Sequence, residues 1–461
     1  MLRIQQSKIL LYSAPVLLAL FFAGSILFLK PIYFIALVGI MVVLPLFVIY
    51  PEVGLVFYAT SLGFIDPIFD SLGVPSGLRA LPIALLLAAM LMFFVLRKKT
   101  GIRLGALPIV STGIGILFLL GLTWTPSPEY GYWKAQAYVL YNLLIMFGLI
   151  SFLGEKERLV RIVYTAAFLG VIYSLIGFFF LPSFLKGSLG IDQFSIPILT
   201  ATDEGDPVGL AYSLGVFILA LILLIEISHS KMQKFFFLIS VIGLLFLLLN
   251  TSERGPTFSL FLTFVLYLYS VSKAPHYKKI LILFVLGVVF YLFFSQLPPV
   301  AQDRYLEMLQ GRGHQLDMNY QGGRMEIMRV TMQAIKTHFL KGLGTGGFSH
   351  LYYLADVRSY PHNLILEMIL EFGVLGLITI GIFLFFNIKV VFAVINTRKP
   401  LTKDNLILIW ASLIFVYCFI NSMISFDVPG NKLLWFASGL LWTVYITNKR
   451  MGKGIEVKIK N

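Results

Sequence analysis

Charge is scarce in this chain. Only 13% of its 461 residues are Asp, Glu, Lys or Arg, where a soluble domain carries about 25%. So few charges cannot cover a water-facing surface at this length, which excludes a set of soluble domains. Cysteine is nearly missing. Cys418 stands alone in an apolar run, so there is no disulfide framework and no cysteine metal site. There is no low-complexity tract, and no period of 20–50 residues repeats, which argues against a solenoid. The first apolar run, residues 9–29, is too long for a signal-peptide core and has no small-residue cleavage site. It reads as a first membrane span.

What the chain does have is apolar length. It is 58% hydrophobic and 15% aromatic, with a mean hydropathy of +0.89. A span needs roughly 20 apolar residues. Runs near 9–29, 32–50, 52–66, 80–96, 106–123, 137–153, 160–181, 208–227, 235–250, 256–272, 280–296, 363–390, 405–425 and 432–447 qualify. The expected fold is all-α: a polytopic membrane protein of about 12–14 helices. Lys and Arg favour cytoplasmic loops. With the N terminus inside, the basic loops around Arg97–Arg103, Lys156–Arg161, Lys231/Lys234, Lys273–Lys279 and Arg398–Lys403, and the tail after Lys449, all fall inward. The loops 124–134, 200–207 and 425–431 and the long segment 297–362 fall outward. The net charge of +14 is therefore an orientation signal with some affinity for anionic lipid, and no nucleic-acid partner is expected.

The outer segment 297–362 carries seven basic residues, among them Arg304, Arg312, Arg324, Arg329 and Arg358, and four of the six histidines. So basic an outer loop fits the holding of a polyanion. Apolar residues at 325, 328, 332 and 335 have helical spacing, for a helix lying on a membrane or on the span bundle. Gly342-Leu-Gly-Thr-Gly-Gly-Phe348 then ends that helix. Its backbone N–H groups, at Gly344 and Gly346 among others, could cradle an anion.

The next stretch, RSYPHNLILEMILEFGVLGL (358–377), passes from polar loop to apolar helix. Pro361 suits a first helical turn, with His362 and Asn363 at its outer mouth. Asn363, Glu367 and Glu371 follow at i, i+4 and i+8 and share a face. A carboxylate deep in a span costs at least ~2.5 kcal/mol unless it is paired or faces water. Two readings stand for each glutamate: a structural tie to neighbouring segments, or, for Glu367, orientation of His362. His362 is either an interfacial residue or a proton acceptor near neutral pH. Arg254, in SERGP (252–256), is either an interface arginine paired with Glu253 or a guanidinium for phosphate.

Four motifs occur in order: SERGP (252–256), GGRMEIM (322–328), GLGTGGF (342–348) and HNLILEMILEFGVLGL (362–377). Their pattern resembles the O-antigen ligase and Wzy-type O-antigen polymerase superfamily, over residues 250–380. The family's first arginine motif usually reads S-R-G; here Glu253 stands between Ser252 and Arg254. The resemblance implies a GT-C-like helical fold with N-terminal spans in 1–205, a catalytic transmembrane region in 206–450 that includes the loop 297–362, and a basic cytoplasmic tail, 451–461. It implies a membrane glycosyltransferase at the inner (cytoplasmic) membrane, acting on the extracytoplasmic face on O-antigen, capsule or exopolysaccharide. The implied donor is a glycan on a polyprenyl (undecaprenyl) diphosphate, the other partners being a glycan acceptor, membrane lipid, and a chain-length regulator or flippase. No cofactor or metal is expected.

Carried over residue by residue, His362 matches the catalytic histidine, and Arg254 and Arg324 match the arginines that hold the diphosphate. Glu367 is expected to set the tautomer of His362. Arg329, Arg312, Gly344, Gly346 and Asn363 are expected to line the substrate. The motifs are shared by polymerases and by ligases that act on lipid A core, protein or wall polymer, so both activities stay open. From another class, a polysaccharide flippase would have similar spans and a basic cavity, but no need of a long outer segment rich in His and Gly.

Overall fold

The computed structural model describes residues 45–47, 49–60, 105–152, 154–187, 207–251, 253–270, 272, 274–294, 324–396 and 405–450. The chain divides into two units, Met1–Gly54 with Ile68–Thr100, and Leu55–Pro67 with Gly101–Asn461. Every element labelled below lies in the second. The expected spans 9–29 and 80–96 and nearly all of 32–50, together with Arg312, the acidic stretch 203–206 and the tail 451–461, lie outside the described residues.

The described residues are helical and contain no strand. The helices are α1 (Ala106–Gly121), α2 (Pro128–Ile150, with a π-helical turn at Tyr138–Leu143), α3 (Lys156–Gly187), α4 (Pro207–Ile227), α5 (Lys231–Asn250) and α6 (Arg254–Ser270). They continue with α7 (His276–Phe294), α8 (Arg324–His338), α9 (Phe348–Tyr353), α10 (Leu364–Asn396), α11 (Leu406–Ser422) and α12 (Lys432–Arg450). Five of them, α2 to α5 and α10, are long and apolar enough to cross a membrane, and α1 and α11 are shorter apolar helices. The protein is thus an all-α, multi-pass membrane protein. Ten expected spans, from 106–123 to 432–447, coincide with helices, because a continuous apolar run of this length has few other ways to satisfy its backbone in lipid.

α4 is the central helix: it packs on α3, α5, α6 and α11, and Leu214, Phe217, Ala220 and Leu221 are buried completely. α11 and α12 pack together, α12 against the second half of α2, and α1 against α10. By contrast α7 presents Tyr277, Ile280, Phe284 and Tyr291 outward, as a lipid-facing helix does.

Three local expectations change. The loop 124–134 is largely helix, since α2 begins at Pro128. α10 begins at Leu364, not at Pro361. Asn363 is its cap: the side-chain Oδ1 accepts from Leu366 N at 3.0 Å, one of the donors a helix start leaves unsatisfied. His362 lies just outside the helix. Finally, α8 turns Ile327, Thr331, Ala334 and Ile335 toward the protein, while Met328 and Met332 are exposed. Thr331 hides the true face from an apolar count; its hydroxyl returns to Ile327 O at 2.7 Å, so it can be buried at little cost.

Candidate functional site

One end of the bundle gathers four segments: 122–134, the start of α6, 338–363 and the turn 423–431. Their meeting begins with a break in α10. Gly373 has φ 59° and ψ −135°, backbone that a side chain resists. The break frees the carbonyls of Leu370 and Glu371, and the glycine loop supplies the missing donors. Leu343 N bonds Leu370 O and Gly344 N bonds Glu371 O, both at 2.9 Å. The fit needs glycine on the loop side too: a Cβ on Gly342 would lie 2.3 Å from Glu371 O.

The rest of the loop is tied to α1 and α2. Thr345 N and its hydroxyl bond Gly121 O and Phe118 O, and Thr125 Oγ1 donates to Thr345 O at 2.7 Å. The first turn of α2 is capped from a distance: Asp356 accepts from Glu129 N at 2.8 Å and Tyr130 N at 3.0 Å, a carboxylate at the positive end of the helix.

Under this loop lies a buried ionic cluster. Lys134 of α2 is fully buried and pairs with both Glu367 and Glu371 of α10. Each carboxylate also takes a backbone donor. Glu371 Oε1 accepts from Gly346 N at 3.0 Å, and Glu367 Oε1 from Val428 N at 3.1 Å. Asp427, buried beside them, accepts from the Tyr130 hydroxyl at 3.0 Å and stands 3.8 Å from Arg358. Two acidic side chains one helical turn apart therefore clamp a lysine, the glycine loop and the turn 423–431 together.

This arrangement relocates several expected roles. The N–H of Gly344 meets the backbone carbonyl of Glu371, and the N–H of Gly346 meets its carboxylate. Glu367 lies on Lys134 and Val428, and its second oxygen is buried without a hydrogen-bond partner, the contacts of a structural tie. Asn363 caps α10 and donates to Met423 O at 3.1 Å. Arg329 is exposed and pairs with Glu326 at 2.5 Å; that bond holds the Glu326 carboxyl below its ordinary range. Arg324 opens α8 as expected, and the next turn, at Ile327, packs beside Phe348 and Tyr352 of α9.

The residues next to His362 and Arg254, Asn363 and Gly255, meet the same turn. His362 has φ 55°, left-handed backbone that histidine visits more readily than most residues but at a cost of order 1–3 kcal/mol. Its ring contacts that of Tyr360, tilted by 54° with centroids 4.4 Å apart, and the following residue, Asn363, is bound to Met423. Arg254 begins α6, where a Cβ on its neighbour Gly255 would lie 3.0 Å from Ser425 Oγ and 3.1 Å from Asn421 Oδ1.

Sequence reasoning missed Lys134, Asp427 and Asp356. A signal for the first existed: Ser127-Pro128-Glu129 is a helix start, with proline at the first position and an acid in the first turn. It would have moved Lys134 from a loop onto a helix.

Residues 236–381 match the Wzy_C family model, O-Antigen ligase. The matched region runs from α5 into α10 and contains all four motifs, so over it the chain is similar to the O-antigen ligase and polymerase superfamily. No curated protein matches the chain.

Proposed function

We propose that this membrane protein is a glycosyltransferase that polymerises or transfers an oligosaccharide carried on a polyprenyl diphosphate, on the extracytoplasmic face of the cytoplasmic membrane. The observation that carries the proposal is the setting of His362. A histidine in left-handed backbone stands at one end of the bundle, next to a residue bound to the turn that also meets the start of Arg254's helix, inside the region similar to O-antigen ligases.

In this reading His362 accepts the proton of an acceptor sugar hydroxyl. The oxygen attacks the anomeric carbon, the bond from that carbon to the diphosphate breaks, and the diphosphate leaves with the electron pair. Arg254 and Arg324 carry the positive charge that meets it, each donor of this kind being worth ~2.7–4 kcal/mol of barrier. Attack of this kind inverts the anomeric centre. Glu367 and Glu371 take no part in proton transfer; with Lys134 they hold the loops that frame the site.

The test is His362→Ala, reconstituted in lipid with a lipid-linked oligosaccharide donor. Transfer should fall by about 10²–10⁴, the usual contribution of a general base, with insertion unchanged. Near-normal transfer would remove His362 from the chemistry. The products separate the two activities: lengthening of the donor's own repeat marks a polymerase, and transfer to a different acceptor marks a ligase.

A further inference from the structure

Beside His362 runs a ledge of rings to which the chemistry above gives no task. Trp133 of α2 is 41% exposed and lies nearly parallel to Tyr130, with centroids 6.0 Å apart. The Arg358 guanidinium, 53% exposed, lies over Trp133 at 5.0 Å and over Tyr360 at 5.8 Å. Tyr360 in turn contacts the His362 ring, tilted by 54° to it. Two segments far apart in sequence thus build one continuous path of flat groups, from the surface to the imidazole.

Exposed Trp and Tyr also form the belts that anchor proteins at a membrane interface. An anchor needs no internal bracing, and this ledge has it. The buried Asp427 lies 3.8 Å from Arg358 and takes the Tyr130 hydroxyl, and Asp356 fixes the turn that carries Tyr130. A guanidinium lying on aromatic faces keeps its N–H donors pointing outward in its own plane. The ledge therefore offers aromatic faces beside a guanidinium. A pyranose ring has the matching pair of features, a face of C–H bonds and a rim of hydroxyls. Aromatic walls with a few fixed polar groups are the usual make-up of a small-molecule site.

We propose that Trp133, Arg358 and Tyr360 form a sugar-binding subsite that holds a pyranose of the acceptor glycan next to His362. The word acceptor rests on the function proposed above; the binding of sugar does not. Trp133 and Arg358 are positioning residues for the acceptor and not part of proton transfer.

The test uses the full chain in lipid nanodiscs and a single-repeat oligosaccharide cut from the surface polysaccharide of the native cells. Binding is measured by calorimetry, and transfer in parallel. Trp133→Ala should weaken binding about tenfold (~1.4 kcal/mol), and Trp133→Phe should recover most of it. In the transfer assay Trp133→Ala should raise KM for the acceptor about tenfold, with the smaller share of the loss in kcat. Equal binding by wild type and Trp133→Ala overturns the subsite, as does a wild type that binds no oligosaccharide. Should Trp133→Ala fail to insert, Arg358→Ala decides: an equivalent weakening supports the subsite, and unchanged binding overturns it. Binding that depends on Trp133 in a protein without any transfer activity would keep the subsite and sink the proposed reaction.

Discussion

Lys134 is fully buried and has no single partner: its ammonium sits between two carboxylates, all three groups buried. Burying charges is costly, and removing one member of such a set leaves the others uncompensated, at about 3–5 kcal/mol. Replacing the whole set is cheaper, because nothing charged remains. Lys134→Met alone should therefore lower the thermal midpoint in detergent strongly. The triple variant Lys134→Met, Glu367→Gln, Glu371→Gln should recover much of the loss, since each amide oxygen can still accept from Val428 N or Gly346 N. If the triple variant unfolds as early as the single one, the cluster is not an electrostatic unit. The shared face of Glu367 and Glu371 was legible in the sequence, because i and i+4 on a helix is arithmetic. Their partner was not. Lys134 lies more than 200 positions away, and no spacing rule reaches across a fold.

At the scale of the element, the glycine loop and the break in α10 form one device. Gly373 opens the helix, and Gly342 and Gly344 let the loop backbone enter and satisfy the freed carbonyls. The loop's own φ values, 76° at Gly342 and 82° at Gly344, add about 1–2 kcal/mol of strain for any residue with a Cβ. Gly342→Ala should thus lower both stability and transfer, since it forces the loop away from Glu371. Gly381→Ala is the comparison. That glycine is exposed on the same helix, with nothing within 4 Å of its added Cβ, so the protein should melt as before or slightly later, as alanine favours helix. Equal losses from the two substitutions would mean that the close approach to Glu371 is not what makes Gly342 sensitive. From the sequence, the glycines announced a turn and the end of α8. They did not announce what the turn was for. A run of N–H donors suits a phosphate and a broken helix equally well, and only the position of the Leu370 and Glu371 carbonyls decides between them. The spans were readable for the opposite reason: their apolar length leaves one solution.

Among the described residues, the helix bundle of the second unit has two unlike ends. Loops 122–127, 342–363 and 423–431 meet at one of them. At the other, the loop after α2 is tied to the end of α12 through Gly154 N and Thr447 Oγ1 at 2.9 Å, and Tyr267 of α6 hydrogen-bonds Glu226 of α4. Lys156, Arg158, Lys231, Lys234, Lys278 and Lys449 cluster toward that second end, close to where their helices start or stop. Short basic loops stay in the cytoplasm, so the end with His362 should face out. The protein carries its own clean background for a test, because Cys418 is fully buried and should not react. Leu354 is 80% exposed beside the candidate site, and Met232 is 79% exposed at the opposite end. In right-side-out membrane vesicles, a membrane-impermeant maleimide should label Leu354→Cys at once and Met232→Cys only after the vesicles are opened. The reverse pattern would put His362 on the cytoplasmic side. A lipid-linked donor there would not yet have crossed the bilayer, and the reading of this end as a site of extracytoplasmic sugar transfer would fall with it.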